Sequence, residues 1–274
     1  MVKQTPIAGR VYNCGSCKFS SRQQKVFYDT IQDKSKIKAM LLFQNPGGEI
    51  DSKARLDELR NKSPQEVAKI HRDGFGEWPG KYYLYFREIC LHLHRKGFIS
   101  KFPSRIGRDI MDEIYVSDAV KCRAKVKEEI GEWRDFSGFN SIGICSFNFL
   151  EEEINNLPNL EIIISCGNWA NEALSALVKC ESSKGYVKHS NYALGKIEKE
   201  SFNLTPYKKD LINNYSHGKI YELDYIWPNG NKRTIKNIFL YHPSWFYNEG
   251  PLSNKPGIRE KLIIKSMKWC FSRI

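Results

Sequence analysis

Short apolar runs broken by polar or turn-forming residues mark the expected strands of this chain. Residues 39–43 (AMLLF) are apolar throughout and stop at Gln44-Asn45, with Pro46 and two glycines directly after. Runs of this length bounded by Pro and Gly fit buried strands better than helices. A second run, 113–120 (EIYVSDAV), carries Ser117-Asp118 near its end, and a third, 160–165 (LEIIIS), closes at Cys166-Gly167. Residues 219–227 and 233–241 alternate about Pro228-Asn229-Gly230, and an Asn-Gly pair between two such runs signals a hairpin. Helical spacing predicts helices over 82–98, 168–178 and 261–271, and from Cys145 to about Leu157-Pro158. Ser63-Pro64 reads as a further helix start, with Ser at the cap and Pro in the first turn. The stretch 74–80 (GFGEWPG) reads as a loop rich in glycine and aromatics.

Strand followed by helix, repeated, predicts an α/β fold: a three-layer α/β/α sandwich around a mostly parallel central sheet. One domain spans 1–274, with a polar, Lys-rich insertion expected around 181–215. Open α/β sheets bind ligands at the carboxyl ends of their strands. Gln44-Asn45, Ser117-Asp118 and His242 each end an expected strand, so parallel strands would bring all three to one edge.

Charge changes the picture next. Lys and Arg number 43 against 31 Asp and Glu, a net +12, which favours polyanionic partners and says nothing about fold. No apolar run is long enough to cross a bilayer, and the opening MVKQTPIAGRVYN lacks the apolar core of a signal peptide. The expectation is therefore a cytoplasmic protein (nuclear in a eukaryote) with no membrane partner. Eight cysteines without a secretory signal point to metal ligands or buried thiols, not a disulfide framework. Cys14-Gly15-Ser16-Cys17 is a redox pair, half a metal site or chance; its polar surroundings argue against redox. Cys90, His92 and His94, two apart on an expected helix, point to different faces and make a poor metal cluster.

Taken in order, these motifs resemble the uracil-DNA glycosylase superfamily, especially its iron–sulfur branch. The resemblance rests on Cys14/Cys17, Phe43-Gln44-Asn45-Pro46-Gly47, Gly74-Phe75, Ser117-Asp118-Ala119-Val120-Lys121-Cys122-Arg123, Cys145, Cys166-Gly167-Asn168-Trp169-Ala170 and His242-Pro243-Ser244. It implies a monofunctional DNA glycosylase acting in base excision repair on uracil or another deaminated base, in single- or double-stranded DNA, as a monomer. It also implies a [4Fe–4S] cluster on Cys14, Cys17, Cys122 and Cys145 that ties the N-terminal segment to the loop after the second strand. Zinc is the alternative that thiolate chemistry alone allows.

The resemblance further implies individual roles. Asn45 positions the hydrolytic water, since an amide orients water without deprotonating it. His242 hydrogen-bonds the base oxygen as charge grows on the leaving base. Gln44 lines the base pocket and Phe75 stacks on the flipped base, with Trp78 a rival stacker. Asp118 stands where the family has Asn. An ionised Asp only accepts hydrogen bonds, which suits the N3–H of uracil and suits its carbonyl oxygens badly. DNA contacts fall to Lys121, Arg123, Lys125 and Lys127 on phosphates, to Ser244, and to Trp245 or Phe246 as a wedge. A member of the same fold that binds DNA with catalysis weakened or lost is the second reading.

Overall fold

The computed structural model describes residues 7–14, 24–25, 28–29, 31, 33–44, 59, 61–77, 82–102, 110, 112–123, 142–143, 145–178, 192–198, 217–226, 232–249 and 254–274, with the backbone alone at 24–25, 74–77, 122–123, 192–198 and 248–249.

Six strands form the main sheet: β2 (Ala39–Phe43), β3 (Ile114–Asp118), β5 (Ile162–Cys166), β6 (Tyr192–Glu198), β7 (Ile220–Ile226) and β8 (Lys232–Leu240). Their order across the sheet is β3-β2-β5-β8-β7-β6. The first four are mutually parallel, and β7 and β6 extend the sheet antiparallel to their neighbours. β2, β3 and β5 are buried along their whole length, which is why their apolar residues run consecutively and do not alternate with polar ones. A separate two-stranded ribbon pairs β1 (Gln24–Lys25) with β4 (Cys122–Arg123), Lys25 opposite Cys122.

Helices cover both faces. On one face Leu41, Phe43, Val116, Ile164 and Ile238 pack with α3 (Tyr83–Arg95) and α6 (Pro256–Ser272), through Tyr85, Ile89, Leu93, Ile263, Met267 and Phe271. On the other face Met40, Leu42, Tyr115 and Ile163 pack with α1 (Ile7–Tyr12), α2 (Pro64–Glu77), α4 (Glu151–Asn155) with its preceding π-helical turn Ser146–Leu150, and α5 (Asn168–Val178). Successive strand residues feed opposite clusters, as the two-residue period of a strand requires. This is the expected α/β class with a mostly parallel sheet between helical layers. No helix among the described residues is long and apolar enough to cross a membrane.

The start of α2 follows its sequence signal. The Glu66 N–H donates to Ser63 Oγ, and Ser63 N–H donates to Glu66 Oε2 at 2.7 Å, a reciprocal cap with Pro64 as the first helical residue. Three expectations need revision. α2 continues through Gly74, Phe75, Gly76 and Glu77, so Phe75 sits in its last turn and not in a loop. The Lys-rich stretch expected around 181–215 as an insertion contributes a strand to the sheet, because 192–198 forms β6, zipped to β7. The helix expected over 261–271 begins earlier, at Pro256.

Candidate functional site

Four strand ends form one edge. Asp118 pairs with Phe43, Phe43 with Cys166, and Cys166 with Leu240, so the last residues of β3, β2, β5 and β8 lie in a single row. At about 4.8 Å per strand the row spans roughly 14 Å, wide enough for a nucleoside-sized ligand between its ends. Gln44 follows directly on β2, and His242 lies two residues past β8. Of the polar residues expected to converge, Gln44, Asp118 and His242 therefore lie along one sheet edge, Ser117 turns to Glu153, and Asn45 is outside the described residues.

The edge is stitched beyond the ladder. Ala119 N–H donates to Phe43 O and Val120 N–H to Gln44 O, while Gly167 N–H donates to Leu240 O at 2.8 Å. Gly167 turns the chain from β5 into α5 with φ +99°, a region L-residues rarely enter. The Gln44 side chain lies against this turn, and its Oε1 accepts the Trp169 N–H at 3.3 Å. That N–H is one of the orphan donors at the start of α5, so Gln44 serves as a cap supplied from another strand. With Oε1 held as acceptor, the Gln44 amide is oriented and its Nε2 remains the donor.

His242 is defined more tightly. Its Nδ1 lies 2.8 Å from Ser244 Oγ and accepts the Ser244 backbone N–H at 3.2 Å. A backbone N–H can only donate, so in the neutral ring the proton is assigned to Nε2. Burial pulls the imidazole down to about 4, so it is neutral at pH 7 and presents Nε2–H as a fixed donor. The loop continues as a π-helical turn, Trp245–Glu249.

Asp118 is buried at the end of β3 on the sheet face shared with Phe43 and Cys166. The neighbouring Lys121 is placed differently from its expected role. It is 2% exposed and turned inward, with Nζ 2.9 and 2.8 Å from the two Glu153 carboxylate oxygens. Ser117 Oγ, itself hydrogen-bonded to Lys121, donates to Glu153 Oε2 at 2.8 Å. A lysine committed to a buried carboxylate does not reach a phosphate in solvent. Phe246 departs in the same way: it is fully buried against Tyr85, His217 and Trp245 and is core, not a wedge. Trp245 is partly buried and Ser244 is occupied with His242.

Cys145 is buried in the cluster that also takes up Cys14, and β1 brings the N-terminal segment against β4 at Cys122. Cys14 and Cys145 thus share one face of the main sheet, and thiols are the donors that an iron–sulfur group takes. Among the described residues no group of three or more His, Cys, Asp or Glu is arranged to hold a metal ion. Cys17, Asn45, Trp78, Gly80, Lys125 and Lys127 lie outside the described residues, as do the side chains of Phe75, Cys122 and Arg123. Cys90, Cys166 and Cys270 are buried thiols, each pushed up to about 12 by burial and inert as nucleophiles.

Two residues near the edge carry no motif. Tyr85 Oη donates to Tyr241 O at 2.6 Å, and Tyr241 N–H donates to His217 Nδ1 at 3.0 Å. Tyr85 falls within the helix expected over 82–98 but carries no signal of its own. His217 gave no signal, because its partner is main chain 24 residues away.

Compared with models of known protein families the chain matches none, and no curated protein matches it.

Proposed function

We propose that this chain is a monofunctional DNA glycosylase that hydrolyses the N-glycosidic bond of uracil or another deaminated base flipped out of DNA. The observation that carries the reading is His242: a neutral imidazole, its Nδ1 occupied by Ser244, offering Nε2–H at the same sheet edge as Gln44 and Asp118. A donor fixed in advance stabilises charge that appears only in the transition state. In the proposed reaction the C1′–N bond breaks first and its electron pair leaves with the base. His242 Nε2–H hydrogen-bonds the base oxygen that gains charge. Water held by Asn45 then adds to the oxocarbenium-like C1′, and its proton passes to the departed base anion or to solvent. Asp118 accepts an N–H from the base, and the Gln44 amide borders the pocket. Extrusion is assigned to the region of Trp245, and phosphate contact to Arg123 and the general positive charge, without Lys121 or Phe246. The four cysteines Cys14, Cys17, Cys122 and Cys145 would hold an iron–sulfur cluster, or zinc, with a structural role.

Labelled oligonucleotides carrying uracil, hypoxanthine, xanthine or mispaired thymine, treated with alkali after incubation, test the reading. Base release that is lost in Asn45→Ala and reduced roughly a hundred- to a thousandfold in His242→Ala supports it. The second reading, a DNA-binding protein of this fold without strong catalysis, is favoured by one feature, the buried carboxylate of Asp118 where a carbonyl-reading amide is expected. No release from any substrate, together with salt-sensitive DNA binding, selects it. Asp118→Asn is expected to improve uracil release.

A further inference from the structure

The chain must leave the sheet at Tyr241, between the last ladder residue, Leu240, and His242. There the Tyr241 main chain loses its ladder partners, and buried N–H and C=O groups must find others. It finds them in two side chains from remote parts of the fold. The N–H goes to Nδ1 of His217, at the turn entering β7, and the C=O takes the hydroxyl of Tyr85, on the first turn of α3. Both side chains are essentially inaccessible to solvent. Phe246 fills the space between them, with ring centroids 5.7 Å from each, and His217 packs on the Tyr241 ring at 5.3 Å. The next peptide is held too, since His242 O accepts the Trp245 N–H at 3.0 Å.

We propose that Tyr85 and His217 are positioning residues for His242: by gripping both polar atoms of the Tyr241 main chain, they set where the His242 Nε2–H points. The inference rests on His242 being the donor to the leaving base. Neither residue touches substrate. Their effect passes through one peptide to a side chain whose aim matters, because a displacement of about 1 Å at a reacting group can reduce rate by roughly a hundredfold. Two grips, one on each side of the Cα, restrain rotation of the segment where a single hydrogen bond would leave it free to swivel. The brace also joins three elements, α3, the entry to β7 and the exit of β8, at the point where the sheet edge opens.

The test uses the full chain with [15N]histidine, and the variants Tyr85→Phe, His217→Phe and His217→Asn. The Asn amide oxygen can take the place of His217 Nδ1 as acceptor. Two readouts are combined: the ring-nitrogen chemical shifts of His242, and the steady-state kcat and KM of base release. The native protein is expected to show Nδ1 unprotonated and Nε2 protonated. In Tyr85→Phe and His217→Phe these shifts move toward the average of the two tautomers, and kcat falls about 10- to 100-fold with KM changed by less than about twofold. His217→Asn restores most of both. Folded Phe variants with unmoved His242 shifts overturn the proposal, and so does a His217→Asn protein as impaired as His217→Phe. If His217→Phe does not fold, Tyr85→Phe and His217→Asn decide alone. Should the native protein release no base at all, the enzyme reading fails, while the His242 shifts still decide whether the brace orients the ring.

Discussion

Gln44 and Gly167 are packed so closely that a Cβ built on Gly167 would lie 2.4 Å from Gln44 Cδ. The contact joins the end of β2 to the start of α5 and lets the Gln44 amide reach the Trp169 N–H. Gly167→Ala must therefore displace Gln44 as well as strain a backbone at φ +99°. A loss of about 2 kcal/mol or more in urea-unfolding free energy is expected. Gln44→Ala relieves the clash but not the strain, so the two substitutions should be non-additive by about 1 kcal/mol. Strict additivity would mean that the two residues do not share this contact.

Much of the sheet was legible because its central strands are buried on both faces. Residues 39–43 and the antiparallel pair β7–β8 needed no tertiary information beyond their own composition. What escaped depended on partners distant in sequence. Lys121 sits in a run, VKCR, that reads as a basic loop, and its ion pair with Glu153, 32 residues on, holds it inward. The Trp245-Phe246-Tyr247 run does not reveal which ring faces the core. Gly74 and Gly76 read as a loop, yet helix α2, well capped at Ser63, runs through both. β6 was hidden in a Lys-rich context, its place set by pairing with β7. Of the site, the strand-end polar residues were readable; the brace on Tyr241 was not, since main-chain partners leave no pattern in sequence.

Lys121 and Glu153 form a buried ion pair closed by Ser117. Lys121→Met leaves the Glu153 carboxylate buried without its cation, and a loss of about 3–5 kcal/mol is expected. Adding Glu153→Leu should recover most of it, because an apolar pair replaces a buried ionic one at little net cost. The double variant also separates structure from binding. Its DNA affinity should show the same salt slope as the native chain, whereas a slope lower by about one would return Lys121 to the phosphate-contacting set.

The cluster proposed on Cys14, Cys17, Cys122 and Cys145 is testable without reference to activity. Protein purified without oxygen should be brown, absorb at roughly 400 nm and contain iron. Cys14→Ser and Cys145→Ser should each lose colour and iron. With the proposed cluster tying down the N-terminal segment, both variants are also expected to become more sensitive to proteolysis ahead of β2. Colourless protein with one stoichiometric zinc, lost in the same variants, would select the zinc alternative.

Acid should weaken the fold in a window set by two histidines. Burial, reinforced by Arg95, Lys96 and Lys268, holds His92 at about 4 where it stacks on Phe271, and burial alone holds His242 at about 4. Both lie below the ordinary histidine value of 6.5, so on acidification the unfolded chain takes up protons that the folded chain refuses. The stabilisation is complete above pH 6.5 and is lost as pH falls from there toward 4. The loss is on the order of 3 kcal/mol for His92 and less for His242, whose ring is partly exposed. Urea-unfolding free energies measured between pH 7.5 and pH 4 should show this slope, and His92→Leu should remove its larger share. The rate of base release should behave differently. With His242 neutral in the folded protein, its contribution stays level from pH 8 down to about 5.5 and falls only as the ring gains a proton on Nδ1 and expels the Ser244 N–H. A midpoint near 6.5 in that profile, unshifted from free imidazole, would mean that burial does not hold His242 in its neutral form.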